Sequence, residues 1–174
     1  NGEYQRHFHD IVRHHALQTR VTVCNFNENL SRLAYAASDF TLMPSRFEPC
    51  GLPQMVAPIY GSLTIAHNTG GLKDTVHHLN EEGTAGNGFV FDHFSAAGLR
   101  WAIDRAVDFH RRPAAERQAT LRRVMQESLK EFNHAETARR YFEIYEAMLH
   151  RPLVVENEQP DQPPVPVKRP TSPV

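Results

Sequence analysis

Short apolar runs alternate with longer amphipathic stretches along most of the chain. The short runs are rich in β-branched and aromatic residues and are typical of buried strands, whereas the longer ones repeat apolar residues at helical spacing. The predicted strands cover residues 20–25, 39–43, 63–66 and 88–91. The predicted helices cover 3–17, 28–37, 51–60, a short segment opening from the loop 67–71, then 95–111, 113–131 and 134–149. Parallel strands joined by crossover helices give this alternation, which predicts an α/β fold.

Proline divides the chain, because seven of its twelve prolines lie within the last 23 residues. That composition predicts a folded domain over 1–150 and a Pro-rich, disordered or polyproline-like tail over 151–174. The spacing of Pro160, Pro163 and Pro166 offers a PxxP ligand, but such spacing is common in flexible tails, so we favour the plain tail. Pro58 lies inside a predicted helix and is expected to kink or shorten it.

The charge balance excludes some classes of protein. The 174 residues include 19 Lys and Arg against 20 Asp and Glu, a formal charge of -1, which gives no broad electrostatic attraction to nucleic acid or anionic lipid. No run approaches the roughly 18 apolar residues of a membrane span. Two cysteines are too few for a disulfide scaffold and favour a reducing, cytosol-like compartment. Because the chain has neither an initiator Met nor a signal sequence at its start, we expect it to be part of a longer protein.

Two loops with glycine follow predicted strands, one at 45–51 and one at 67–71. Loops that leave the carboxyl ends of parallel strands converge on one edge of the sheet, where ligands of this architecture bind. Each loop opens into a helix, so free N–H groups and close backbone approach at glycine would suit a phosphate. The alternative for Thr69-Gly70-Gly71 is a helix cap followed by a tight turn.

Glu48 and Cys50 are the candidate chemical groups of the first loop. Two hypotheses for Glu48 stand equal: a hydrogen bond to a sugar hydroxyl, or a helix-capping acid at the helix that begins near Gly51. Cys50 could act as a nucleophile, but no His or Asn arrangement accompanies it, so a buried structural thiol is favoured. The eleven histidines form no HExxH or Cys/His ligand set, and surface histidines are favoured over a metal site.

Several motifs together resemble those of bacterial glycogen synthases and plant starch synthases. They are Pro-Ser-Arg-Phe-Glu-Pro-Cys-Gly-Leu at 44–52, Tyr-Gly at 60–61, Thr-Gly-Gly-Leu-Lys-Asp-Thr-Val at 69–76 and Gly-Phe-Val-Phe at 88–91. The resemblance extends loosely to about residue 149. It implies a GT-B fold, in which two Rossmann-like domains face each other across a cleft. This chain is expected to supply the C-terminal, nucleotide-sugar-binding domain as a Rossmann-like parallel sheet with flanking helices, truncated at its N-terminal edge.

The resemblance also implies roles for single residues. Glu48 would face the transferred glucose as the catalytic residue, and Phe26 would stack on the base where the family usually has a tyrosine. The residues implied in binding the donor are Phe26, Cys50, Gly51, Leu52, Thr69, Gly70 and Gly71. Of these, the backbone of the first loop would lie against the sugar and diphosphate, and the second loop would cradle the same region.

The reaction implied is transfer of glucose from ADP-glucose, or less often UDP-glucose, to the 4-hydroxyl at the non-reducing end of an α-1,4-glucan, with retention of configuration. No cofactor or metal is implied. The implied partners are the nucleotide-sugar donor, the glucan acceptor and the N-terminal domain of the parent chain, with no nucleic acid and no membrane. The given sequence contains neither that N-terminal domain nor the upstream Arg/Lys segment that the resemblance implies. We therefore expect no transferase activity from the isolated chain. The implied location is the cytoplasm, or the plastid for a plant protein.

Two alternatives stay open. One is a retaining GT-B glycosyltransferase with a different donor or acceptor, against which the Glu-Pro-Cys-Gly-Leu and Thr-Gly-Gly-Leu motifs argue. The other is a noncatalytic module that binds nucleotide or glucan and recruits a partner through its tail. The choice between ADP-glucose and UDP-glucose also stays open, because base selectivity depends on loop geometry near Phe26.

Overall fold

The computed structural model describes residues 2–153, which form two compact units divided between Asn133 and His134. The strands are β1 (Phe40–Met43), β2 (Leu63–His67) and β3 (Gly88–Phe91). The helices are α1 (Gly2–His14), α2 (Glu28–Ala37), α3 (Pro53–Val56), α4 (Gly70–Thr75), α5 (Ala96–His110), α6 (Ala114–Glu131) and α7 (His134–Leu149). A 3₁₀ turn, Ala57–Tyr60, follows α3. Most of the Pro-rich tail predicted from 151 onward lies outside the described residues.

The three strands form a parallel sheet in the order β1-β2-β3. All five residues of β2 are buried, as expected for the central strand of a sheet covered on both faces. Side chains alternate between the faces, so Leu63 and Ile65 of β2 share a core with Phe89 of β3, whereas Ala66 packs with Leu72 on the opposite face. The predicted α/β class and its parallel sheet are confirmed.

The first core cluster is the larger one. It joins β2 and β3 to α5 and α6 through Leu63, Ile65, Leu79, Phe89, Phe91, Ala102, Ala106, Phe109 and Val124. Each large apolar side chain buried in this way contributes about 1.5–3 kcal/mol relative to exposure. The core therefore holds the carboxyl ends of β2 and β3, and the loops that follow them, on a rigid base.

The strand predicted at 20–25 is wrong. Residues 21–27 have no regular secondary structure, and β1 is the first strand of the described sheet. A strand needs a paired neighbour and a buried face, but Val21 is 41% exposed and the residues around it are mostly exposed as well. The sequence pattern of this segment does not show whether a neighbouring strand is there to pair with it.

Two predicted helices are shorter than expected, for different reasons. The first ends at His14 because Ala16 adopts a left-handed φ of 53°, and the backbone N–H of Leu17 then donates to the Val12 carbonyl at 2.9 Å. That pattern is a Schellman-type end. The helix predicted at 51–60 divides into α3 and the 3₁₀ turn that contains Pro58, which confirms the shortening expected from this proline.

The unit that begins at His134 consists mainly of α7, and an ion-pair cluster marks its first turn. Both Arg139 and Arg140 donate hydrogen bonds to Glu136, at 2.6 and 2.8 Å. These hydrogen bonds and the two positive charges lower the pKa of Glu136 from 4.5 to about 2. A carboxylate in the first turn is also favoured by the helix dipole.

The low pKa of Glu136 predicts that α7 loses helicity in acid. The carboxylate stabilises the helix fully above about pH 4.5, and that contribution disappears as the pH falls toward 2, because the unfolded state binds the proton first. Circular dichroism between pH 6 and 2 should show a loss of helical signal that is smaller in Glu136→Gln. An identical acid transition in both proteins would contradict the prediction.

Among the helices of residues 2–153, none combines the length and apolar character that a membrane span requires.

Candidate functional site

The loops that leave β1 and β2 pack directly against each other at the carboxyl edge of the sheet. The backbone N–H of Gly71 donates to the Glu48 carbonyl at 2.9 Å. A Cβ atom on Gly70 would clash with that carbonyl, reaching 2.8 Å from its carbon, and a Cβ on Gly71 would lie 2.6 Å from the Cys50 oxygen. Both glycines are therefore required by the close contact, and the structure brings the two predicted loops together.

Gln54 holds the backbone of the first loop by hydrogen bonds from its buried side chain. Its side chain is fully buried, and Nε2 donates to the carbonyls of Cys50 at 2.7 Å and Gly51 at 3.0 Å. In a trans peptide the C=O and the N–H point in opposite directions, and no described peptide bond is cis. The N–H groups of Gly51 and Leu52 therefore point away from Gln54.

These two N–H groups form a candidate anion site. Gly51 has a left-handed φ of 76° and Leu52 is right-handed helical, so the chain turns at this pair and the two successive N–H groups form a short nest. Pro53 follows and has no N–H, so the nest consists of these two groups alone. Across residues 2–153, neither group donates a hydrogen bond. Because α3 has four residues and α4 has six, individual N–H groups matter more here than a helix dipole.

Thr75 extends this network to the second loop. Its hydroxyl donates to the Gly71 carbonyl at 2.7 Å and lies 3.3 Å from Nε2 of Gln54. One buried amide and one hydroxyl thus hold the carbonyls of both loops. Gln54 Oε1 accepts no hydrogen bond in the described chain and lies against the α-carbon side of Gly51, where a Cβ atom would clash with it.

Glu48 offers a carboxylate to this site. Its side chain is half-buried, and the part of the chain that the structure describes gives it no hydrogen bond and no ion pair. Its backbone carbonyl is occupied by Gly71, so the loop position is fixed while the carboxylate stays available to a ligand. Of the two hypotheses for Glu48, the helix-capping acid gains no hydrogen bond in the structure, since α3 has no side-chain cap.

The prediction that Cys50 is a buried thiol is wrong. Both cysteines are exposed, and the Cys50 thiol makes one weak contact, at 3.5 Å, with the Gly51 carbonyl. The physical reason is that Gln54, and not Cys50, fills the space beneath the loop. Leu52, predicted to contribute backbone contacts, leaves 68% of its side chain exposed.

Phe26 and Thr69 complete the predicted set. Phe26 lies in the irregular segment before α2 and is 85% exposed, so its ring is available for stacking. Thr69 is the N-terminal flanking residue of α4, but its side chain makes no capping hydrogen bond. Its backbone carbonyl accepts from Leu72 at 3.1 Å, which closes the first turn of α4.

Sequence reasoning missed the residues that support these loops. His67 is 8% exposed, and its Nδ1 lies 2.9 Å from the Ser45 carbonyl, which ties the end of β2 to the first loop. Gln54 and Thr75 were missed as well. A signal for Gln54 existed in its position four residues after Cys50 in an otherwise apolar helix, because a polar residue there needs a buried partner.

Metal ligation finds no support in the described residues. Across residues 2–153, no three His, Cys, Asp or Glu side chains come close enough together to hold an ion. The four histidines of the N-terminal segment, His7, His9, His14 and His15, are all exposed.

Comparison with known proteins shows similarity to one family. The sequence profile described as "Glycosyl transferases group 1" matches residues 1–121. Glycogen synthase of Bacillus cereus is 38% identical over 150 residues, covering 86% of this chain and 30% of that protein. Glycogen synthase of Syntrophotalea carbinolica is 40% identical over 143 residues, covering 82% and 28%. The chain thus spans about 30% of the length of these curated relatives.

Solved structures give the same result. The catalytic domain of starch synthase IV from Arabidopsis thaliana, bound to ADP and acarbose, aligns with a TM-score of 0.73 and 33% identity, over 87% of this chain and 31% of that one. Sucrose-phosphate synthase from Thermosynechococcus elongatus aligns with a TM-score of 0.60 and 25% identity, over 83% and 34%. The predicted resemblance to glycogen and starch synthases, and the fold class it implied, are confirmed.

Proposed function

The chain belongs to the group 1 family of glycosyl transferases, and from that premise we propose that it binds a nucleoside diphosphate glucose at the two loops after β1 and β2. In this proposal the diphosphate is held by the nest N–H groups of Gly51 and Leu52. Glu48 hydrogen-bonds a hydroxyl of the glucose. The backbone of Cys50 and the loop Thr69–Gly71 close the same pocket.

The observation that carries the proposal is the close contact between the loops. Gly70 and Gly71 pack on the backbone of Glu48 and Cys50 at distances that exclude a side chain, and this contact supports placing the unpaired carboxylate and the nest in one site. A donor sugar needs both features, since its hydroxyls require a fixed acceptor and its diphosphate requires donors.

The proposed chemistry is the departure of a nucleoside diphosphate. When the bond between the glucose and the diphosphate breaks, negative charge grows on the leaving oxygen. Preorganised N–H groups lower the energy of that charge, and removing one such donor typically costs about 10²–10³ in rate. The nest groups of Gly51 and Leu52 are fixed in advance by Gln54, so no reorganisation accompanies the step.

We propose ADP-glucose as the donor. The starch synthase IV structure, 33% identical to this chain, was solved with ADP. Phe26 would stack on the adenine, since an exposed ring can cover a base face without a hydroxyl. We expect no metal or cofactor to be needed, because the N–H groups supply the charge stabilisation that a cation would give.

For the whole protein we propose glucosyl transfer to the 4-hydroxyl at the non-reducing end of an α-1,4-glucan, with retention. The curated relatives above are glycogen synthases more than three times as long as the matched region. The facing domain of the GT-B fold and the glucan are therefore the proposed partners, and the cytoplasm is the proposed location.

A change of Glu48 to glutamine tests the site directly. Calorimetric titration of the chain with ADP and with ADP-glucose should show that Glu48→Gln weakens binding of the glucose conjugate about tenfold, because a charge-assisted hydrogen bond to the sugar is lost. Affinity for ADP itself should stay unchanged, since the nest is intact. UDP and UDP-glucose should bind more weakly than their adenine counterparts.

The matched control is Glu116→Gln, which makes the same chemical change on the exposed surface of α6. It should bind both ligands as the unmodified chain does. Equal weakening of ADP and ADP-glucose by Glu48→Gln would contradict a contact between this carboxylate and the sugar. Absence of ADP binding to the unmodified chain would contradict donor binding by this unit.

A further inference from the structure

A cavity lies beside α4, outside the contact between the two loops. Its volume is about 640 Å³, it is open to solvent, and it is bounded by the end of α4, by β3 and by the start of α5. We call it the Trp101 pocket, after the aromatic residue in its wall. Neither Glu48 nor the nest residues line it.

One wall of the Trp101 pocket is a flat aromatic surface. The rings of His78 and Trp101 stack with centroids 5.3 Å apart and planes 23° apart. His78 is held in place because its Nδ1 accepts the backbone N–H of Val90 at 3.0 Å, which leaves the ring proton on Nε2. Trp101 is 48% exposed, so this rigid pair presents apolar ring surface to whatever enters.

Polar groups surround that wall. One oxygen of Asp92 accepts a hydrogen bond from the Asn68 amide at 2.7 Å, and within 2–153 its carboxylate makes no ion pair. Lys73 lines the same cavity without an ion-pair partner in the described residues. His77 and His93 add further hydrogen-bonding capacity. The pocket thus carries a fixed acceptor, an amide and an ammonium around a flat apolar wall.

This combination suits an uncharged sugar better than a phosphate. The apolar face of a pyranose ring packs on aromatic surface, while its hydroxyls need acceptors and donors at the edge. Asp92 balances the charge of Lys73, so these two side chains give the pocket no net positive charge that would favour a phosphate. Because the cavity is open to solvent, a ligand larger than one sugar unit can extend out of it.

We propose that the Trp101 pocket binds glucose units of an α-1,4-glucan at a site distinct from Glu48 and the nest of the first loop. The sugar class follows from the pocket itself, whereas the choice of an α-1,4-glucan rests on the proposed function. Asn68 belongs to the second loop and directly precedes Thr69, so a bound glucan would touch the same segment that shapes the donor site. The pocket would hold the polymer on the enzyme between successive additions.

The experiment uses the fact that Trp101 is the only tryptophan of the 174 residues. Tryptophan fluorescence and the single indole N–H peak in a nitrogen-proton NMR spectrum both report on this pocket. Titration with maltoheptaose should change both signals saturably. Asp92→Asn should weaken that affinity about tenfold, through loss of a charged hydrogen bond. The control Asp104→Asn changes the same charge on α5, outside the pocket, and should bind as the unmodified chain does.

Several results would overturn the proposal. One is no saturable change in either signal up to about 10 mM maltoheptaose, above the range of weak specific binding. Another is equal affinity in Asp92→Asn and in the unmodified chain. An equal response to cellohexaose would overturn the α-glucan assignment, and displacement of maltoheptaose by ADP would make this a nucleotide pocket.

Calorimetry with ADP on the unmodified chain keeps the two proposals separate. If ADP fails to bind while maltoheptaose changes the Trp101 signals, donor binding fails and the glucan site stands. If ADP binds and maltoheptaose leaves both signals unchanged, donor binding stands and the glucan site is overturned. A calorimetric titration of Trp101→Ala with maltoheptaose should show loss of binding, with Tyr60→Ala, another exposed aromatic outside the pocket, as its control.

Discussion

Replacing Gly70 with alanine should reduce the affinity for ADP at least tenfold and destabilise the folded chain by about 1–3 kcal/mol. The added Cβ would clash with the Glu48 carbonyl, reaching 2.8 Å from its carbon, and the φ of 48° adds a small conformational cost. Backbone atoms cannot rotate away as a side chain can. The first loop must therefore shift, and the nest at Gly51 shifts with it. Calorimetry with ADP and thermal unfolding measure the two effects.

Gly61→Ala separates the clash from the backbone conformation. Gly61 also has a left-handed φ, of 89°, but a Cβ there would meet the Met125 sulfur at an ordinary 3.5 Å. It precedes β2, at the opposite edge of the sheet from the loops. Gly61→Ala should therefore lose stability without losing ADP affinity in the folded protein. If Gly70→Ala bound ADP as tightly as Gly61→Ala does, contact between the loops would not be what shapes the site.

The contrast between Gly70 and Gln54 shows how far sequence reasoning reaches. Gly70 could be predicted because the predicted strands 39–43 and 63–66 are short apolar runs in a parallel sheet, and the loops that follow their carboxyl ends meet at one edge. A glycine in such a loop indicates that another backbone segment or a ligand approaches it closely. The position of Gln54 in an otherwise apolar helix signals a buried polar partner, but the atoms it binds could not be predicted, since they depend on which backbone groups pack against that helix. Those atoms belong to a loop whose path only the tertiary structure determines.

The error at 20–25 and the exposure of Cys50 have a related cause. The local pattern of apolar residues indicates which side chains are suited to burial. It does not show whether another strand or helix packs against them. Val21 has a strand-like neighbourhood and no adjacent strand, and the space beneath the first loop is filled by Gln54 instead of the thiol. The pattern was reliable for β1, β2 and β3, each of which pairs with at least one neighbouring strand, and failed at 20–25, where the described residues supply no paired strand.

Replacing Gln54 with leucine should destabilise the chain by about 2–4 kcal/mol and reduce ADP affinity about tenfold. Leucine has a similar size but no donor, so the carbonyls of Cys50 and Gly51 would lose their buried partner. Those peptides could then rotate, and the N–H groups of Gly51 and Leu52 would no longer be held outward. Unfolding in urea measures the first effect, and calorimetry with ADP measures the second.

A role confined to stability would affect only the first measurement, so the loss of ADP affinity in the folded variant is the decisive result. The matched control is Gln118→Leu, the same replacement on the exposed surface of α6, which should leave both quantities unchanged.

Thr75→Val removes the hydroxyl that continues the network to Gly71 and should weaken ADP binding less than Gln54→Leu does, because the carbonyls of the first loop keep their donor. Normal ADP affinity in folded Gln54→Leu would mean that the nest holds its shape without the amide.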